Sequence, residues 1–164
     1  MGYAIVEKRT KLKPELSGMP QEKLRELKER GEEIVNHLEV PLLAYLGDTL
    51  PGAHLLADDV RKAKIIITEC TFFEPEHKER AKVGMHLHVD DLAEWRKVAE
   101  CENMVITHIS RRTHTQYARN RLNEVLGENL SATTHLLMDH RTNRERYERQ
   151  EFEAERRERE LQAR

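Results

Sequence analysis

Three short, almost wholly apolar segments constrain this chain most: VPLLAYL at 40–46, Ile65-Ile66-Ile67, and Met104-Val105-Ile106. Short apolar runs closed by turn or polar residues read as buried strands. The stretches between them are long enough for helices. One helix is expected over about Ala53 to Ala63. A second is expected where Asp91 and Glu94 have capping-box spacing and Leu92, Trp95 and Val98 form a stripe. A third follows Thr113 and Gln116, which repeat that spacing, with Ala118, Leu122, Val125 and Leu126 as its apolar face. Tyr3 to Glu7 supplies a first strand and Thr133 to Met138 a last one. The stretch between Glu69 and Asp91, with Pro75 and Gly84, is expected to be irregular. Strands alternating with helices make an α/β layer, and apolar strands of this kind call for cover on both faces.

The remaining sequence explains an unusual composition. Charged residues are 35% of the 164 and hydrophobic residues only 38%, so part of the chain must be a solvated element. Two segments fit. Residues 8–31 read as an exposed excursion carrying a short helix begun by Pro20 and stopped by Gly31. Residues 140–164 read as a charged helical tail with Glu and Arg at helical spacing, leaving residues 1–139 as the folded part. The net charge of −2 argues against a globally basic nucleic-acid binder and leaves room for a local basic patch. No apolar run could span a bilayer, so no membrane partner is expected. The start lacks the apolar core of a signal peptide, and Cys70 and Cys101 have no metal-ligand spacing; both point to a reducing, cytoplasmic compartment.

In an α/β layer, functional groups collect just beyond the strand ends. Asp48 follows the first apolar strand in Y-L-G-D-T, where a carboxylate can bind metal, act as a base or merely cap the next element. Glu69 ends the second in T-E-C-T-F; a carboxylate there needs a partner, and a histidine or a salt bridge would serve. His108 ends the third in T-H-I-S-R-R. Its imidazole is a good zinc ligand or a turn residue filling hydrogen bonds. Ser110, Arg111 and Arg112 follow, and guanidiniums can hold a phosphate or lie as plain surface charge. His86 and His88, in M-H-L-H-V-D-D, would share one side of a strand as a metal-binding pair does; in the loop expected here, ahead of a helix, the spacing fixes no geometry, and His86 is the sharper candidate as an acid or base. His37, His54, His77, His114, His135 and His140 have no spacing that raises them above surface or capping residues.

The ordered set Y-L-G-D-T, I-I-I-T-E-C-T-F, H-L-H and V-I-T-H-I-S-R-R resembles the carboxy-terminal half of the ribonuclease Z (tRNase Z) family of metallo-β-lactamase-fold hydrolases. Its comparable blocks read roughly GDT, HEATF, HST and LTHxSxRY. G-Y-A-I-V-E-K-R also looks like the family's G-Y-x-x-x-E-K/R strand. The resemblance runs from Gly2 to about Glu128. It implies the second half of an αββα sandwich, with the charged tail appended as a helix. It implies two zinc ions in the complete site, with Asp48 as the carboxylate bridging them and His108 as a ligand of the second. His86 would help protonate the leaving group, Glu69 would orient His86, and Ser110 and Arg111 would meet the substrate phosphate. The reaction implied is zinc-dependent hydrolysis of a phosphodiester, with RNA as substrate and tRNA processing as the context.

The family's H-x-H-x-D-H motif is absent from all 164 residues; H-L-H-V-D-D at 86–91 mimics it but follows the GDT block. A further ligand His, expected ahead of Tyr3, is missing too, and Thr68 stands where HEATF has its His. A catalytic zinc takes about three protein donors, so the expected chain is a hydrolase half that works only with a missing amino-terminal half, supplied in another chain or lost through a truncated gene. Two other readings stand beside it: a non-catalytic remnant that binds RNA or protein, and a homodimer that builds a site from two copies. Half of a two-sheet sandwich would also leave apolar faces uncovered and self-associate.

Overall fold

The computed structural model describes residues 2–137 and, beyond them, residues 149, 152, 153, 156, 157 and 159, all six in helical conformation. The rest of the charged tail and Met138 lie outside the described residues.

The chain opens with β1 (Gly2–Leu12), a 3-10 turn at Pro14–Leu16 and α1 (Gln21–Glu29). It continues through β2 (Val35–Leu46), a 3-10 turn at Ala53–Leu56, α2 (Asp58–Arg61) and β3 (Ile65–Glu69). After a third 3-10 turn at Pro75–His77 come α3 (Lys78–Gly84), α4 (Val89–Val98), β4 (Asn103–Thr107), α5 (Thr115–Ala132) and β5 (Thr134–Leu136). The five strands form one sheet in chain order, β1 antiparallel to β2 and every later neighbour parallel. The chain is therefore α/β, as its alternating pattern requires.

Several local expectations are corrected. The helix expected over Ala53 to Ala63 is broken into a 3-10 turn and the single turn α2. The stretch expected to be irregular contains α3. β2 begins at Val35 and β1 continues to Leu12, so residues 8–12 pair with the far end of β2. A bulge between Ile5 and Val6, beside Pro41, separates this outer ribbon from the part of β2 that joins β3. Proline has no N–H for the ladder, and a bulge is where a sheet tolerates it. Both expected capping boxes give way to histidine caps. His88 caps α4, its ring accepting from Asp90 N–H, and His114 caps α5, accepting from Gln116 N–H. In each case the imidazole does what a Ser or Asp oxygen does elsewhere, binding one of the unpaired first-turn amides.

Burial alternates along the strands with a period of two. Ala44, Leu46, Ile66, Thr68, Met104, Ile106, Thr134 and Leu136 are buried. Their apolar members pack with Leu55, Val60, Leu92, Trp95, Ala118 and Leu122 from the helices and turns. The opposite set stays open. The register joins Tyr3 to Tyr45 and Ile5 to Leu43, then Leu43 to Ile65 and Tyr45 to Ile67, and Ile67 to Val105. Tyr3, Ile5, Tyr45 and Ile65 are 64%, 57%, 42% and 39% exposed. The cover expected on both faces is incomplete: an apolar patch on β1, β2 and β3 stays open to water. Isolated chain is expected to self-associate through it, and the pair Tyr45→Lys and Ile65→Lys to shift the protein towards monomer in light scattering behind size exclusion. An unchanged mass would show that this face is not sticky.

Candidate metal centre

Four chain segments meet at the carboxyl ends of β2, β3 and β4, and one buried carboxylate ties them. Glu69, 1% exposed at the end of β3, accepts from Leu87 N–H at 2.7 Å and Thr71 Oγ1 at 2.8 Å. It also accepts from Thr49 N–H at 3.3 Å. Thr49 follows Asp48, so this bond anchors the turn after β2. Its hydroxyl is in turn 2.7 Å from His54 Nε2. Leu87 follows His86, so the same carboxylate fixes the segment between α3 and α4. His86 Nδ1 lies 3.3 Å from Glu69 Oε1.

Two residues in left-handed backbone conformation deliver the histidines. Met85 (φ 59°) terminates α3 and turns the chain into His86, and His108 itself has φ 54°. Such values are uncommon for residues other than glycine and carry strain that the surroundings must hold. Gly84 leaves room for the ring: a Cβ there would sit 3.2 Å from His86 Cδ2. The His86 and His108 rings are stacked, centroids 5.2 Å apart. His108 Nδ1 is 3.5 Å from Asp48 Oδ1. One donor atom each from Asp48, His86 and His108 lies within 4.8 Å of the other two.

Thr71 connects the two rings. Its hydroxyl is 2.9 Å from His108 Nδ1, 3.3 Å from His86 Nδ1 and 3.1 Å from the His108 carbonyl. A threonine has one proton to give. Spent on Glu69, it leaves the oxygen to accept Nδ1–H of His108, and the tautomer so fixed carries its lone pair on Nε2. Glu69 does the same for His86. A carboxylate or hydroxyl behind the ring of a ligand histidine is the usual support in metal sites. Two imidazoles and a carboxylate suit zinc and other divalent first-row ions, so the residues present fit a metal.

Of the residues that the sequence singles out, Asp48, Glu69, His86 and His108 come together here. Ser110 comes close: its N–H donates to the Thr71 carbonyl at 3.1 Å and its hydroxyl accepts from Arg112 N–H at 3.3 Å. Arg111 lies exposed on that turn. His88 does not join His86 as a metal pair. It is wholly buried, with Nε2 3.0 Å from the Glu74 carbonyl and Nδ1 accepting from Asp90 N–H, so both nitrogens are engaged. Cys70 is also removed from the chemistry: burial, and then the Glu69 charge, push its thiol well up, far from the thiolate that metal binding needs. A cleft of about 410 Å³ opens beside the cluster, lined by Asp48, Thr49, Leu50, Gly84, Met85 and His86.

Three residues outside the sequence reading matter here. Thr71 lies in T-E-C-T-F, two residues beyond Glu69. His54 carries no motif, and only the fold brings it to Thr49. Glu74 accepts from Thr113 Oγ1 at 2.9 Å and contacts His77 Nδ1 at 3.1 Å, pinning the loop that carries Ser110 and Arg111. Burial works to raise the Glu74 carboxyl, but its bonds to Thr113, its own amide, His77 and Phe73 N–H together hold it below 4.5. Stability from a depressed carboxyl is fully present above the unfolded-state value and is lost as pH falls through the folded one. Thr113→Val is therefore expected to cost about 1–2 kcal/mol at pH 7 and to flatten the acid limb below pH 4.5, read from melts across pH. An acid limb as steep as the parent's would remove Glu74 from this role.

The chain is 30% identical over 122 residues to the protein named tRNase Z TRZ2, chloroplastic, from Arabidopsis thaliana, a match that takes in 72% of this chain and 34% of that one. It is 32% identical over 130 residues to Ribonuclease Z of Chlamydia trachomatis serovar D, covering 70% of this chain and 42% of the relative. The chain is ribonuclease Z-like. tRNase Z TRZ1 of A. thaliana is 28% identical over 116 residues. The chain spans between a third and a little over two fifths of the length of these relatives. No family model matches it. Among solved structures, a long form RNase Z from yeast matches 48% of the chain and 10% of its own at 22% identity, with a TM-score of 0.38, a likeness too slight to carry weight.

Proposed function

We propose that this ribonuclease Z-like chain forms one side of a zinc-dependent phosphodiesterase that cleaves RNA, tRNA precursors in the first instance, and that an amino-terminal half bearing H-x-H-x-D-H completes it. The observation that carries this is the convergence of Asp48, His86 and His108 with Glu69 directly behind His86. The relatives named ribonuclease Z and tRNase Z support the substrate class. The uncovered apolar face of the sheet supports a second protein layer, and three donors supply one ion at most where the family site has two.

Bound zinc would activate a water and offset the charge of the phosphate. Asp48 and His108 would hold it. With Nδ1–H of His86 directed at Glu69, Nε2 can take up the proton that the activated water gives up and pass it to the leaving oxygen, the ring returning to its neutral form. Ser110 and Arg111, on the turn pinned to Thr71 and Glu74, stand where a phosphate oxygen can be bound. Cys70 and Cys101, both buried and unpaired, fit a cytoplasmic setting. Among the described residues no helix is long and apolar enough to cross a membrane.

Mixing the chain with an amino-terminal half carrying H-x-H-x-D-H tests this. Zinc uptake and cleavage of a tRNA precursor, or of bis(p-nitrophenyl) phosphate, are expected only in the mixture. Failure of both would replace the proposal with the non-catalytic scaffold. Hydrolysis by the chain alone at concentrations where it dimerises would replace it with the homodimer.

A further inference from the structure

We infer that the cleft beside the cluster is a nucleobase subsite, in which the base of the nucleotide next to the scissile phosphate lies between Leu50 and Met85. This rests on the reading of the substrate as RNA and adds where one base is held. The cleft, about 410 Å³, is lined by two stretches of chain, residues 48–50 after β2 and 84–86 after α3. Both are tied to a single atom, Glu69 Oε1, which accepts from Thr49 N–H at 3.3 Å and from Leu87 N–H at 2.7 Å. A buried carboxylate therefore sets how far apart the two walls stand. The volume is that of a small-ligand pocket, and Gly84 contributes no side chain to fill it.

The lining is divided by polarity. Asp48 and His86 belong to the proposed phosphodiester site, while Leu50 and Met85 bring apolar surface, 36% and 65% exposed. A nucleotide is divided in the same way, with a charged phosphate at one end and a flat ring with apolar faces at the other. Unpaired bases of RNA are held by side chains that pack on those faces. Met85 is the more telling residue. It ends α3 with φ 59° and ψ 43°, the left-handed cap conformation that glycine takes without steric cost. Helix termination by itself would favour glycine here. The chain instead keeps a long thioether side chain in a strained position and exposes it beside the candidate site. Strain retained at such a place points to a role for the side chain. A thioether is polarizable, packs well on aromatic rings and adapts to rings of different size.

Methyl-labelled methionine NMR of the chain, titrated with AMP and separately with ribose 5-phosphate, tests this. AMP is expected to move the Met85 methyl upfield through the ring current of the base and to leave that of buried Met104 in place. Ribose 5-phosphate should move neither. Met85→Gly removes the resonance, which assigns it, and should weaken AMP binding by roughly three- to tenfold. The melting temperature of that variant should stay level or rise, since glycine suits the left-handed cap. Leu50→Ala should weaken AMP binding by a similar factor. Val98→Ala, at an exposed apolar residue of α4 outside the cleft, should leave it unchanged. A Met85 methyl that stays still, equal shifts with AMP and ribose 5-phosphate, or AMP binding that survives Met85→Gly overturns the inference. A Met85 methyl that responds to the amino-terminal half but not to AMP overturns it too and assigns the rim to a protein interface. AMP binding at Met85 with no hydrolysis on completion would refute the phosphodiesterase and leave a nucleobase site standing; hydrolysis with no response at Met85 would refute the subsite alone.

Discussion

Replacing Asp48 with alanine in the completed enzyme is expected to lower phosphodiester hydrolysis by on the order of a thousandfold or more, about 4 kcal/mol of transition-state stabilisation. The reason is positional. Asp48 lies at the carboxyl end of β2, anchored through the next residue's amide to Glu69, and is the only carboxylate grouped with His86 and His108 as a candidate metal donor among the described residues. Its loss removes both a ligand and the negative charge that favours the cation. His108→Ala should be nearly as damaging. The double variant should be little worse than either single one, because residues that act on one ion fail as a unit. Single-turnover rates with saturating zinc, alongside metal content, check this. Full activity in Asp48→Ala would remove the metal reading altogether.

Glu69→Ala should produce the largest loss of stability, roughly 3–5 kcal/mol. The carboxylate is buried, and its removal strands the Leu87 amide and the Thr71 hydroxyl and leaves a void under His86. A buried donor without a partner costs the desolvation it has already suffered. The unfolding temperature should fall by roughly 10–20 °C. Glu69→Gln keeps one oxygen and should lose less than half as much, while still disturbing His86. A melting temperature within a few degrees of the parent's in Glu69→Ala would show that the four segments are held by something else.

The sequence made the strand ends legible because each apolar run stops at a polar residue, and Asp48, Glu69 and His108 all stand where those runs stop. The α/β order was legible for the same reason. Helix starts were misread because imidazoles cap α4 and α5, and the capping-box pattern looks for Ser, Thr, Asp and Glu. The H-x-H pair stayed open in the sequence because spacing alone does not show where a strand ends. His88 bridges to Phe72 and turns into the core while His86 turns out. Thr71 was passed over because its importance lies in four atoms of three other residues, 2 to 37 positions away, and no one-dimensional pattern records that.

The apolar sheet face also governs how such a chain fares in a cell. Exposed Tyr3, Ile5, Tyr45 and Ile65 are the kind of surface that chaperones and proteases recognise in unfinished proteins. A chain wearing such a surface permanently would be cleared unless something covers it. Its steady-state amount would then track the supply of its covering layer rather than its own rate of synthesis.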